Sequence, residues 1–260
     1  MRYKRGLIRI LKKSLTENYN CSVDDNCAEN VVNVLTNEFP TSAAKKTYEQ
    51  CVFLEKEEAD YCVSQSFEAM LQNPDFFDIL NELIEFGISR YKENYSNRYQ
   101  DTDLVLYQKY TYEDACRLLC WERNEVPLNI GGYKYDKKTK TFPVFINYDK
   151  RDDISDTTKY EDHFVSANRL IAISKSGRSI ESEDVQNFLY AKERGIDVQL
   201  FVRKNKDDKI SKEFYYLGRM SATGEVKEFT MPNTDKTAVE IEWILDTPVR
   251  EDIYEYIVNG

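Results

Sequence analysis

The densest chemistry in this chain lies in TTKYEDHF, residues 157–164, where an aromatic ring stands beside two carboxylates and a lysine. Tyr160 offers a face on which an extruded nucleobase can stack, and Glu161 or Asp162 can accept the amino proton that separates cytosine from thymine. Stacking on an aromatic side chain returns about 1–3 kcal/mol, comparable with the cost of taking a base out of a duplex. Thr158 and Lys159 would then lie against the backbone of the same strand. Two other readings use the same residues. Tyr160 can be a core anchor with Asp162 capping a helical turn near Ser166, or Glu161 and Asp162 can form an acid and base pair in an enzyme.

A methyl group on such a base is worth only about 0.8 kcal/mol of burial, so telling a modified base from an unmodified one needs a close apolar wall. Tyr133, Tyr135, Phe145, Tyr148, Tyr215 and Tyr216 supply aromatics, and Trp243 in VEIEWIL is the further base-binding candidate. The phrase ISKSGRS contributes Ser174, Lys175, Ser176 and Arg178 around a glycine, whose backbone amides can approach a phosphate closely. Arg203 and Lys204 in LFVRKNK, and the lysines at 134, 137, 138 and 140, are further groups for a nucleic-acid backbone; solvated loops are the competing reading.

Several chemistries are excluded. The sequence holds no G-x-x-x-x-G-K-[ST] phosphate loop. Its one histidine, His163, is followed by Phe164 and Val165, and no nucleophile elbow surrounds any serine. The six cysteines follow no paired zinc spacing, which predicts buried free thiols, no metal and no cofactor. A non-catalytic binding module is the expectation. At 41% apolar and 32% charged residues the chain reads as an ordinary soluble globular protein without a membrane span, and a cytoplasmic one. A net charge of −10 is unfavourable for nucleic acid, but it is unevenly spread. Residues 107–227 carry 22 basic and 20 acidic side chains, against 12 and 18 in residues 1–106 and 2 and 8 in residues 228–260.

The phrases YTYEDACRLLCW, PVFINYDK, DTTKYEDHFVS, ISKSGRSIES, VQLFVRKNKDD and EFYYLG follow one another between Tyr110 and Gly218. In that order they resemble the C-terminal domain of SauUSI-type ATP-dependent, modification-directed restriction endonucleases, which join a phospholipase-D-type nuclease to a superfamily-two helicase. The resemblance covers roughly the last 150 residues of the 260. It implies a target-recognition part that binds double-stranded DNA containing 5-methylcytosine or 5-hydroxymethylcytosine by base flipping. Helicase and nuclease domains of a parent protein would be its partners. It also implies that the parent's chemistry is not encoded here, since the nuclease needs a His-x-Lys pair that His163 does not make. The alternative is an acidic scaffold that couples a helicase motor to a nuclease without touching a base.

These groups must be positioned by two kinds of element. Residues 1–105 predict a helical connector: apolar residues recur at helical spacing from Leu7 to Leu15 and from Cys27 to Phe39, and a third segment opens at Pro40. A longer helix is expected over Glu55–Leu71, and another follows Pro74 with Phe76, Phe77, Leu80, Leu83, Ile84 and Ile88; no strand is expected. Residues 106–260 predict a sheet-rich recognition domain. It begins with a short helix after Thr111 and a hairpin of 132–135 with 142–148, followed by strands at 170–173, 198–202, 214–217 and 239–245. A helix over Ser182–Arg194 should stop at Gly195. The fold class is therefore α+β: a helical bundle, then a small curved sheet or partly closed β-barrel with packed helices. The resemblance suggests the SRA or PUA-like barrels for the second half.

Overall fold

The computed structural model of the chain describes residues 2–19, 22–48, 52–57, 60–148, 162–204, 212–232 and 234–259. It divides into two compact units, residues 1–103 with 113–126, and residues 104–112 with 127–260. The segment Glu113–Val126, expected in the sheet-rich part, thus belongs to the N-terminal unit.

The N-terminal unit contains α1 (Arg2–Tyr19), α2 (Asp25–Leu35), α3 (Ser42–Tyr48), β1 (Leu54–Glu57), β2 (Asp60–Val63), α4 (Gln65–Leu71) and α5 (Pro74–Asn94). Asp24 caps α2 by accepting from the Cys27 N–H, and Asn73 caps α5 through the N–H groups of Asp75 and Phe76, with Pro74 in the first-turn position that suits it. The expected helix over Glu55–Leu71 is a correction. Residues 54–63 instead form an antiparallel hairpin, Leu54 pairing Val63, and helix begins only at Gln65. Ser64 makes the break: its hydroxyl donates to the Val52 carbonyl at 2.5 Å and accepts from the Phe67 N–H, so it ends the hairpin and starts α4.

The cysteine expectation is corrected as well, since Cys27 and Cys120 form a disulfide across 93 positions. Cys27 lies in α2, and buried asparagines of the same helix hold the segment around Cys120. Asn30 donates to the Trp121 carbonyl at 2.5 Å and Asn33 to that of Glu122 at 2.7 Å. Among the described residues, Cys62 and Cys116 lie outside this disulfide.

After α5, β3 (Lys109–Tyr110), α6 (Tyr112–Leu118) and α7 (Pro127–Ile130) lead to the sheet. Its strands are β4 (Thr141–Asn147), β5 (His163–Ser166), β6 (Arg169–Ile173), β7 (Asp197–Arg203), β8 (Phe214–Thr230) and β9 (Thr237–Leu245). Between β6 and β7 come α8 (Glu183–Leu189) and α9 (Ala191–Arg194), and α10 (Glu251–Val258) closes the chain. Gly195 ends α9 in the left-handed conformation at φ 63°, as expected for a helix cap.

The strand order is β4-β7-β8-β9-β6-β5, with β3 paired to β8. β4 and β7 are parallel, and the other pairs are antiparallel. β8 is much longer than the apolar run that announced it, because it serves both halves of the sheet. Its first part pairs β7 and its second pairs β9, with a register shift between Ala222 and Val226 where Gly224 takes φ 95°. The sheet curves until its two ends approach, and the Phe164 N–H donates to the Tyr148 hydroxyl at 3.2 Å. No backbone pairing joins β4 to β5 among the described residues, so the sheet stays open.

Side-chain alternation puts a core on each face of this sheet. Phe142, Val144 and Ile146 of β4, Val198, Leu200 and Val202 of β7, and Val239, Ile241 and Trp243 of β9 join Val185 and Phe188 of α8 in the main cluster. On the other face Phe145 stacks on Phe201 at 4.8 Å, against Tyr112, Phe214 and Tyr216. Gln199, wholly buried there, accepts from the Tyr216 hydroxyl and donates to Asp197 at 2.6 Å. Among the described residues, no helix is long and apolar enough to cross a membrane.

Candidate nucleic-acid interface

Of the TTKYEDHF group, Thr158, Lys159, Tyr160 and Glu161 lie outside the described residues. Asp162 stands just before β5, where its Oδ1 accepts the Ile173 N–H at 2.8 Å. The carboxylate is thereby tied to the end of β6 rather than to a helical turn at Ser166, which is a strand residue. Trp243 is a correction. It points inward with Val239 and Ile241, is 1% exposed, and meets the edge of Phe188 at 5.0 Å, so its ring is core and presents no face to a base.

The loop that follows β6 is where the sequence candidates converge. Ser174 is buried and belongs to the sheet: its Oγ accepts the Val239 N–H and its own N–H donates to the Val239 carbonyl, both at 2.8 Å. That use corrects its assignment to a DNA backbone. Ser176 is exposed at the tip, and the Gly177 N–H returns to Thr237 at 2.7 Å with φ 79°. Lys175 turns the other way. Its backbone N–H donates to the Tyr133 hydroxyl at 3.0 Å, and its ammonium donates to the Tyr133 carbonyl at 2.8 Å while lying 4.6 Å above the ring.

Tyr133 is the hinge of the arrangement. Its ring packs edge-on to Phe142 and Phe188, which stack on each other at 4.0 Å, so the main core holds it in place. Its hydroxyl emerges to donate to Asp184 Oδ2 at 2.8 Å, and Arg178 Nε reaches the same oxygen at 2.7 Å. Together these groups form one wall of an open cleft of about 460 Å³, whose lining includes Asn129, Lys134, Tyr135, Lys137, Lys175, Arg178 and Asp184. Tyr135 is half-buried, its ring 5.4 Å from Phe142. Lys137 forms an exposed ion pair with Glu183 at 3.0 Å, which contributes little to stability.

The electrostatics follow from this geometry. Burial pushes the Asp184 pKa up, but the hydrogen bonds from Arg178 and Tyr133, the Arg178 charge and the Val185 N–H together hold it below the usual carboxylate value. It is therefore an ionised acceptor at neutral pH, and a carboxylate has room for more than two donors. Burial lowers the Lys175 pKa against the opposing pull of Asp184. Burial also raises the Tyr133 pKa, so its phenol stays a donor. The cleft thus combines an aromatic face, two carboxylates (Asp184 and Glu183) and four cationic side chains.

Arg203 and Lys204 sit elsewhere, at the end of β7. The Arg203 guanidinium lies 4.4 Å over Phe214, with Nε donating to Asn147 Oδ1 at 2.5 Å, and the Lys204 ammonium lies 5.9 Å from the Tyr256 ring. Both stack on aromatics, and neither lines the cleft. Asp184 and Asn129 were not expected at a site. Asp184 reads locally as an ordinary acid in the first turn of a helix, and nothing near it in the chain announces Tyr133, which is 51 positions away.

Comparisons with known proteins place the two parts separately. Residues 104–257 match the model of a family described as a domain of unknown function (DUF3427), and residues 2–95 match a second domain of unknown function (DUF8090). No curated protein matches the chain. Among solved structures, the SRA domain of SUVH5 in complex with hemi-methylated CG DNA is similar at a TM-score of 0.38 and 12% identity, covering 57% of this chain and 92% of that one. KRYPTONITE in complex with mCHG DNA and SAH is similar at 0.40 and 10%, covering 70% and 40%. The DNA modification-dependent restriction endonuclease AspBHI is similar at 0.37 and 11%, covering 60% and 81%.

Proposed function

The chain belongs to the DUF3427 family, and from that premise we propose that its sheet-rich unit is a non-catalytic DNA-recognition module that reads a modified cytosine flipped out of a duplex. The cleft carries this reading: Tyr135, ionised Asp184 and the cations Lys134, Lys137, Lys175 and Arg178 share one concave surface. Tyr135 supplies the face for an extruded base, and Asp184 accepts the cytosine N4 amino proton. The cations neutralise the phosphates flanking that nucleotide, and the volume is in the range of ligand-binding clefts. Modified cytosine is chosen from the resemblance of the ordered phrases to modification-directed restriction proteins; a helicase and a nuclease would then be supplied by other domains. Because the whole chain carries −10, binding by this piece alone should be weak and salt-sensitive.

The test titrates otherwise identical duplexes, with and without 5-methylcytosine, at several salt concentrations, and follows thermal unfolding of the same samples. Tyr135→Ala should remove about 1–3 kcal/mol of binding to the modified duplex and erase the preference. Replacing Lys134 and Lys137 together by alanine should weaken both duplexes alike and flatten the dependence of log affinity on log salt by about 2. Equal binding of both duplexes by the unaltered chain would overturn the reading, as would DNA cleavage that copurifies with it and is lost in Asp162→Asn.

A further inference from the structure

We propose that Asn187 completes the reading of the base: its side-chain amide donates to N3 of an extruded cytosine while Asp184 accepts from N4. This rests on the reading that the cleft receives such a base. Asn187 is only 8% exposed, yet it lines the cleft, so what remains open of it faces that space. It stands three residues after Asp184 in α8, which puts the two side chains on one face of the helix with their Cβ atoms about 5–6 Å apart.

The orientation of the amide is set by its neighbour. Arg194 Nη1 donates to Asn187 Oδ1 at 2.7 Å, and because a guanidinium has no acceptor, the oxygen must be the end turned towards Arg194. The other end is the NH2 group, which makes no hydrogen bond among the described residues. A nearly buried donor without an acceptor is unusual in a native fold, and at the wall of a cleft a ligand can supply what is missing. The order of the two groups says which ligand. Along its Watson–Crick edge cytosine presents an amino donor at N4 beside an acceptor at N3, whereas thymine presents a carbonyl at O4 beside an N3–H. An acceptor next to a donor, Asp184 next to Asn187, matches the first order and opposes the second. Thymine and 5-methylcytosine carry the same methyl group, so an apolar wall cannot separate them and the edge must. Arg194 touches no base in this arrangement; it is a positioning residue that decides which end of the amide the base meets.

Binding of the full chain is measured to duplexes that carry 5-methylcytosine, cytosine or thymine at one position opposite an abasic site, so that no base pair has to be broken in any of them. The unaltered chain should prefer 5-methylcytosine to thymine by about 10-fold or more. Asn187→Asp keeps the shape and the bond from Arg194 but replaces the donor by an acceptor. It should weaken binding of 5-methylcytosine by about 10-fold and erase the preference over thymine, with thermal unfolding of the same samples separating this from a loss of fold. Arg194→Ala frees the amide to turn over and should narrow the same preference by a smaller factor; Arg194 is exposed, so this variant tests the assignment even where Asn187→Asp does not fold. An unchanged preference in either folded variant would overturn the proposal and leave the cleft as a base-binding site. A parent chain that separates 5-methylcytosine from cytosine but not from thymine would do the same. A parent chain that binds all three duplexes alike would overturn the reading of the cleft itself, and this proposal with it.

Discussion

The main core of the sheet and the exposed apolar residues of α5 use the same kinds of side chain and leave them in opposite environments. Phe142, Phe188 and Trp243 are 1–3% exposed, and Phe77 and Phe86 are 48% and 60% exposed. The difference lies in what comes to meet them. Strands β4, β7 and β9 and helix α8 come from well-separated parts of the chain and bury each other, whereas α5 presents apolar side chains outward. Burial is a property of partners, so the same kinds of apolar side chain build a core in one region and a surface in the other.

The comparison can be broken by measuring what each region contributes to stability. The largest effect is expected from Trp243→Ala, which should cost about 3–5 kcal/mol in urea unfolding because it empties the space beside Phe188. A cost under 1 kcal/mol would mean the core around Phe188 is looser than its burial implies. Next comes the disulfide of the N-terminal unit. Replacing Cys27 and Cys120 by serine should cost about 2–4 kcal/mol. The residual stability should reside in the buried bonds of Asn30 and Asn33, which proteolysis within Glu113–Val126 would report.

A smaller effect is expected in the cleft. Asp184→Ala should cost about 1 kcal/mol, because the carboxylate is partly solvated and its hydrogen bonds are screened. It carries a sign in pH. The folded pKa of Asp184 lies below the ordinary 3.8, so its contribution is complete above that value and is lost as pH falls through the lower folded value. The stability difference between the parent and Asp184→Ala should therefore narrow under acid and be flat near neutrality; a difference that widens as pH falls would show that Asp184 is protonated in the fold. The smallest effect sharpens the comparison most. Ile79→Ala on α5, measured in dilute solution, should change stability by less than about 0.5 kcal/mol, and a core-sized loss would show that α5 is covered.

How much of this was legible depends on how far apart the deciding residues lie. The periodicity of α5, with Pro74 in its first turn, and the stop at Gly195 are local signals, and they hold because capping and helical spacing act within a few residues. The strands at 170–173, 198–202 and 239–245 were legible for the same reason, as short apolar runs bounded by turn residues. The failures were decided at longer range. The hairpin of residues 54–63 competes with a helix of similar apolar content, and Ser64, bonded to Val52 and Phe67, tips the balance. Trp243 looked available for a ligand because alternation along a strand tells which residues share a face but not which face is buried.

What the sequence by itself determined is therefore a set of elements, an α+β order and the chemical kinds of group a site would use. The partners of those groups were settled only by tertiary structure. Tyr133 meets Lys175 across 42 positions and Asp184 across 51, and Cys27 meets Cys120 across 93. The reason is physical. Helix and turn signals are short-range terms fixed by neighbouring residues, but a hydrogen bond or disulfide between distant residues exists only after the sheet has curved and the core has closed, and it leaves no mark in the spacing of the chain.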